Sequence, residues 1–324
     1  MAKIRFSSVC NPYLCGENFI ANRANMKTTL KTAGWYHVMA AVTVMIWGTT
    51  FVSTKVLIKY GLSPVDILFY RFLLAYICIW LFSPRVLRAK SWQDELRFVG
   101  LGLCGGSLYF VAENTALGMT LASNVSLIIC TTPVLTALLA PFFYKGDKLK
   151  ARLVGGSLIA LIGVGLVVFN GSFILQLSPV GDILTLAAAL MWAFYCLLLR
   201  RMNTHYPTLF ITRKVFFYGL LTLLPLFFVS PLQMDTHILF QPVVVLNLLF
   251  LGVIASMLCY IMWNTAVKQL GVVCTTSYIY VVPLITLLTS AIVIDETITI
   301  VALLGSALIL SGVYIAERGV GKKK

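Results

Sequence analysis

Residues 101–118 read LGLCGGSLYFVAENTALG, and residues 251–268 read LGVIASMLCYIMWNTAVK. A shift of 150 positions superposes Leu101-Gly102 on Leu251-Gly252 and Asn114-Thr115-Ala116 on Asn264-Thr265-Ala266. Carried downstream without a gap, the same shift places Pro133 on Pro283, Thr136 on Thr286, Leu138 on Leu288 and Gly155 on Gly305. Upstream, a shift of 145 sets Trp47 on Trp192. The chain is therefore an internal duplication. Each copy holds five apolar segments, and because five is odd the second copy must enter a membrane from the side opposite to the first. Inverted repeats of this sort build secondary transporters, in which two halves rock about a central site.

Composition agrees. Hydrophobic residues make up 60% of the 324 and charged residues 11%, against about 45–50% and about 25% in soluble domains. Ten apolar runs are expected as helices, at 36–58, 65–83, 97–118, 122–143, 152–170, 180–199, 208–229, 243–265, 272–294 and 299–316. Each is close to the ~17–25 residues that cross a bilayer as a helix, whereas barrel strands would be about half as long and would alternate. The expected fold is all-α and polytopic: a tail (1–34), a five-helix repeat (35–170), an external linker (171–179), a second repeat (180–316) and a basic tail (317–324).

Net charge is +14, but its placement orients helices and does not suggest nucleic acid. With the N-terminus inside, twenty of the 25 Lys and Arg fall in cytoplasmic segments, and the external stretches 119–121, 171–179, 230–242 and 295–298 hold none. That asymmetry puts both termini in the cytoplasm, with the bilayer of the cytoplasmic membrane as the main partner. Base-stacking aromatics clustered on a basic face are missing. The eight cysteines suggest neither a disulfide framework nor a metal site; most lie within spans as small packing residues. No cofactor motif is present, and without a Walker A sequence the chain is not itself a nucleotide-driven pump. The first 25 residues lack an apolar stretch and are not a signal peptide. Met26 opens a more ordinary basic leader, so the upstream tail reads as an over-extended start.

The candidate site comes from polar groups inside the spans, where a charge near the helix centre costs at least about 2.5–3.5 kcal/mol. Glu113 shares a helix face with Gly102, Gly106 and Tyr109, a narrow face that should point into the bundle. Arg71 and Lys55 lie at comparable depth in the outer half. One reading makes these three an ion-pair cluster that fixes helix register, with Lys55 reaching the interface. The other makes Arg71 or Lys55 a receptor for a substrate carboxylate and Glu113 a binder of a proton or an amine. In the second copy Glu113 is replaced by Trp263, so the polar machinery is asymmetric. Asn114, Tyr109, Trp263 and Tyr280 complete the candidate binding set. Pro133 and Pro283, mid-span at equivalent places, are expected to kink their helices beside the cavity.

Several short motifs, in order, carry a family resemblance. They are Trp47-Gly48-Thr49-Thr50-Phe51, Pro64 with Arg71, Ala116-Leu117, Pro133-Val134, Gly155-Gly156 and Gly163-Val164 in the first copy. The second copy supplies Gly181-Asp182, Trp192-Ala193, Ala266 to Pro283, Asp295-Glu296, Gly305 and Gly312-Val313. Over residues 35–316 the chain resembles the EamA family of the drug/metabolite transporter superfamily. The resemblance implies a ten-helix inverted repeat that exports or exchanges small metabolites such as amino acids, often driven by proton or substrate gradients. One departure is Lys145-Gly146-Asp147, where the family usually has a glutamate before the fifth helix; that acid is retained only in the second copy, as Glu296. An intramembrane lipid-modifying enzyme is disfavoured, since the three histidines His37, His205 and His237 lie far apart near membrane edges. A non-transporting membrane subunit is the remaining alternative.

Overall fold

The computed structural model describes residues 12–84, 88–120, 122–144, 151–169, 179–228, 230–232, 236–294 and 300–320. All regular structure among them is helical. Among the described residues, six helices are long and apolar enough to cross a membrane. They are α1 (Pro12–Lys59, apolar from Gly34), α2 (Pro64–Phe82), α3 (Trp92–Met119), α7 (Pro179–Met202), α8 (Thr208–Phe228) and α9 (Pro242–Leu270). Between and after them come α4 (Ala122–Ile129), α5 (Thr132–Phe143), α6 (Ala151–Phe169), α10 (Val272–Thr276), α11 (Val282–Ile294) and α12 (Ile300–Val320). The architecture is that of a multi-pass membrane protein.

Local chemistry explains the boundaries. At Ser63-Pro64-Val65-Asp66 the Ser63 hydroxyl accepts from the Asp66 amide and the Asp66 carboxylate accepts from the Ser63 amide, a reciprocal cap that starts α2. Pro64 occupies the first helical position, where no amide donor is needed. Gly271, at φ +88°, ends α9 and turns the chain into α10.

The span expected as one helix over 122–143 is interrupted. α4 stops at Ile129 and α5 starts at Thr132, with Pro133 in its first turn. The second copy breaks at the same register: a 3-10 segment, Ser277–Val281, separates α10 from α11, and Pro283 is the second residue of α11. The prolines thus restart helices instead of kinking them from within, because a first-turn proline loses no hydrogen bond. The two breaks touch across the duplication, the Cys130 thiol donating to the Ile279 carbonyl at 3.5 Å.

A second shared irregularity lies in α3 and α9. Each contains a π-helical stretch, Leu103–Ser107 and Phe250–Leu258, at overlapping positions under the 150-residue shift. An extra residue inserted into a helix rotates everything beyond it. The face expected to run from Gly102 to Glu113 is therefore divided: Gly102 and Gly106 lie before or within the π-turn and Glu113 beyond it.

The halves interlock through these irregular helices. α2 packs on the π-stretch of α9, and α8 packs on that of α3. Glycine makes both approaches feasible: a Cβ at Gly102 would come within 2.4 Å of the Tyr218 Cβ, and one at Gly252 within 2.7 Å of the Leu74 Cβ. At the periphery α6 and α12 pair through small residues, where a Cβ on Gly312 would sit 2.5 Å from the Ala160 nitrogen. With no hydrophobic drive between helices in lipid, close backbone approach supplies the contact energy.

Candidate functional site

Helices from both halves enclose a small chamber. Its charged groups are Arg71 on α2 and Glu113 on α3; its aromatic walls are Trp47, Phe51, Tyr109, Phe110 and Trp192; Thr50, Ile129, Ile279 and Val282 complete it. Ile129 and Ile279 are repeat-equivalent and stand at the two helix breaks. The breaks thus open onto the chamber, while Pro133 and Pro283 sit buried just behind it.

Both charges are withdrawn from lipid. Arg71 is 2% exposed and Glu113 7%. The Arg71 Nε donates to the Ser256 hydroxyl at 2.9 Å, and its guanidinium lies 4.2 Å from the Phe110 ring centre. The Glu113 carboxylate accepts from the Tyr109 hydroxyl at 2.7 Å, the pairing that a four-residue spacing on one helix allows. Arg71 and Glu113 attract one another across the chamber but form no direct ion pair. The guanidinium is anchored by the second half and the carboxylate by its own helix. Each therefore keeps capacity for a third group between them.

Lys55 does not join this set. Its ammonium donates to the Thr120 carbonyl at 3.2 Å, at the C-terminus of α3, where a cation meets the negative end of the helix dipole. The expected three-charge cluster thus reduces to Arg71 and Glu113. Lys55 sits in the last turns of α1, so side-chain reach, not depth, decided its partner. Asn114 also points elsewhere, donating to the Pro64 carbonyl at 3.3 Å. Trp263 is fully buried behind the wall, its ring 5.0 Å from Trp47 and 6.1 Å from Trp192. Tyr280 is fully buried and is not part of the lining. Asp295 and Glu296 lie outside the described residues.

The aromatics pack tightly together. Trp47 meets Trp192 edge to face at 5.2 Å, and Tyr109 meets Trp192 at 5.0 Å. The indole N–H of Trp192 is buried and has no hydrogen-bond partner among the described residues. The sequence marked Trp47 and Trp192 as repeat-equivalent motif residues without assigning them to the site, and Thr50, Phe51, Phe110, Ile129, Ile279 and Val282 were likewise missed as site residues. The repeat alignment held a signal for the isoleucines, because the duplicated prolines mark the breaks beside them.

At the far end of the bundle a second polar cluster ties α3 to α8. Lys214 and Tyr218 both donate to the Glu95 carboxylate. Tyr206 donates to Asp94 at 2.8 Å and accepts from the Lys90 amide at 2.8 Å. Burial, and then the neighbouring Asp94, raise the Tyr206 hydroxyl above its usual pKa, so it stays a donor. These bonds join the first half to the second at the end opposite Lys55. The space inside the chamber is about 30 Å³, enough for about two waters.

A model of the EamA-like transporter family matches residues 34–169 and again residues 179–317. Among similar proteins, an uncharacterized transporter of Archaeoglobus fulgidus is 30% identical over 86% of this chain and 96% of its own length. A probable amino-acid metabolite efflux pump of Escherichia coli is 27% identical over 89% of this chain and 96% of its own. A probable terminal-alkyne amino-acid exporter of Streptantibioticus cattleyicolor is 25% identical over 89% and 94%. One solved crystal structure, 20% identical, superposes with a TM-score of 0.65 over 90% of this chain and 98% of that one, a likeness of fold.

Proposed function

The chain belongs to the EamA-like transporter family, and from that premise we propose that it is a secondary carrier that exports or exchanges small amino-acid-like metabolites across the cytoplasmic membrane by alternating access. The observation that carries this reading is the chamber, which holds one buried guanidinium and one buried carboxylate, unpaired with each other, within an aromatic box built from both halves. A zwitterion matches that geometry. Its carboxylate meets Arg71, its ammonium meets Glu113, and its side chain lies against Trp47, Tyr109 and Trp192. The aromatic faces attract the ammonium further through their quadrupoles. Amino-acid compounds in the names of two relatives support the same class.

Alternating access is supported by the small size of the chamber and by the Lys214–Glu95 and Tyr206–Asp94 contacts, which bridge the halves at the end read as cytoplasmic from the basic loops. Opening inward breaks these contacts. With Glu113 empty of an ammonium, a proton is its alternative guest, which makes coupling to a proton gradient the natural drive.

Counterflow in proteoliposomes with a panel of labelled amino acids tests the reading, with wild type and Glu113→Gln side by side. The expected result is uptake by the wild type whose pH dependence disappears in Glu113→Gln. Uptake with one pH dependence in both proteins makes Glu113 a binding or structural group and removes proton coupling at that residue. Absence of uptake across the panel overturns the amino-acid class.

A further inference from the structure

The two π-helical stretches share more than position. Residues 105 and 255 correspond under the 150-residue shift, and at both the backbone carbonyl is held by an aromatic donor from the opposite half. The Tyr260 hydroxyl donates to the Gly105 carbonyl, and the Trp47 indole donates to the Ala255 carbonyl at 3.0 Å. Neighbouring bonds repeat the exchange: Arg71 to Ser256 at 2.9 Å, and Ser107 with Thr222 at 2.7 Å. A π-turn widens the helix and tilts carbonyls away from its own ladder, where a donor on another helix can reach them. In a medium without water such a donor is not easily replaced.

The donors also touch each other. The rings of Trp47 and Tyr260 lie 6.0 Å apart at 68°, and each contacts Trp192, at 5.2 and 5.7 Å. Trp47 alone of the two donors lines the chamber. A guest that presses on its ring therefore acts on a residue that simultaneously holds the second half's π-stretch and leans on the residue that holds the first's.

We propose that these reciprocal clasps couple the two π-stretches into a single element with one opening equilibrium, and that Trp47 is the positioning residue through which the chamber acts on it. Each clasp fixes the irregular turn of the half it does not belong to, so release of either carbonyl loosens both turns. Such an element needs two discrete arrangements biased by one contact, and a π-turn supplies them, since it can pass a residue along the helix. The use of the device in transport rests on the carrier reading above; its existence does not.

Amide hydrogen exchange on the full chain in lipid nanodiscs, read by mass spectrometry, tests it without any substrate. Tyr260→Phe keeps the ring and deletes only the hydroxyl donor, and Trp47→Phe deletes the indole donor while keeping a smaller ring in place. Each single variant is expected to speed exchange about fivefold or more in both stretches, 103–107 and 250–258, the lower end of usual site-to-site coupling. Exchange in α6 and α12 should stay unchanged. If each variant loosens only the stretch it touches, or neither, the coupling is overturned. Should a variant not fold, the wild type decides. A coupled element gives the two stretches opening rates within about twofold of each other across a temperature series, as for one cooperative unit, and separate rates overturn it. Failed counterflow beside coupled exchange would sink the carrier reading and leave the clasps standing.

Discussion

Glu113 and Trp263 occupy the same position in the two copies, and the difference between them describes the molecule. Backbone around both is alike: a π-stretch upstream, a glycine (Gly102 or Gly252) packed against the opposite half, and an asparagine (Asn114 or Asn264) just beyond. Side chains differ. The first copy puts a carboxylate into the chamber and, through Arg71, a guanidinium; the second puts an indole behind the wall. Asn114 reaches the Pro64 carbonyl, whereas the Asn264 side chain accepts from the Tyr195 hydroxyl and donates to Thr212, and its backbone carbonyl accepts from Asn203. Duplication preserved the mechanical parts, and the chemistry settled in one copy.

The largest expected effect tests that division directly. Arg71→Ala removes the only guanidinium in the lining and leaves Glu113 without a counter-charge, so counterflow should fall by about a hundredfold or more, as when one partner of a buried charge pair is lost. Retained flux would move recognition into the second half. Glu113→Gln comes next: flux should fall by about tenfold at neutral pH, the lower end of what losing one hydrogen bond to a charged group costs, with its pH profile flattened. A profile that survives would make the two copies chemically more alike than the lining suggests.

The mechanical parts predict a subtler asymmetry. Gly102→Ala drives a methyl into the Tyr218 Cβ and the Gly219 backbone, at 2.4 and 2.9 Å, whereas Gly252→Ala meets chiefly the Leu74 side chain, at 2.7 Å. Both should lower the thermal midpoint in detergent. Gly102→Ala should do so by the upper part of an overpacking cost of about 1–3 kcal/mol, and Gly252→Ala by the lower part, since its nearest approach is longer and its next neighbour, at 3.1 Å, is the mobile Leu74 Cδ1. Equal shifts would show that the seams are mechanically equivalent. The smallest effect belongs to Lys55→Met, which loses a helix-end contact of about 0.3–1 kcal/mol and should leave counterflow within about twofold. A tenfold loss of flux would return Lys55 to the chamber.

Much of this was legible from residues alone. The 150-residue shift exposed the duplication, the apolar runs marked the helices, and two buried charges, Arg71 and Glu113, pointed to the chamber. Lys55 misled because depth in a span is visible in sequence while the direction of a long flexible side chain is not. The prolines were read as kinks because position within an apolar run does not reveal whether a helix has already stopped two residues earlier. The π-stretches left only a faint trace. Gly105 and Gly106 permit the irregular turn in α3, but Ala255 and Ser256 occupy the same places in α9, and what stabilises both turns is a donor some 150–210 residues distant.

One feature of the lining bears on how such a protein changes over time. Every ionisable group in the chamber stands on helices of the first half, and the second half contributes Trp192, Ile279 and Val282. On the proposed reading, substitutions at those three places would alter the size and shape of an acceptable guest without disturbing Arg71 and Glu113. A hydrophobic contact of this kind discriminates by about 1–3 kcal/mol per methylene, small enough to be crossed in single steps. If the proposal holds, the neutral wall is where a lineage of such transporters would drift from one cargo to the next while its charged groups stay unchanged.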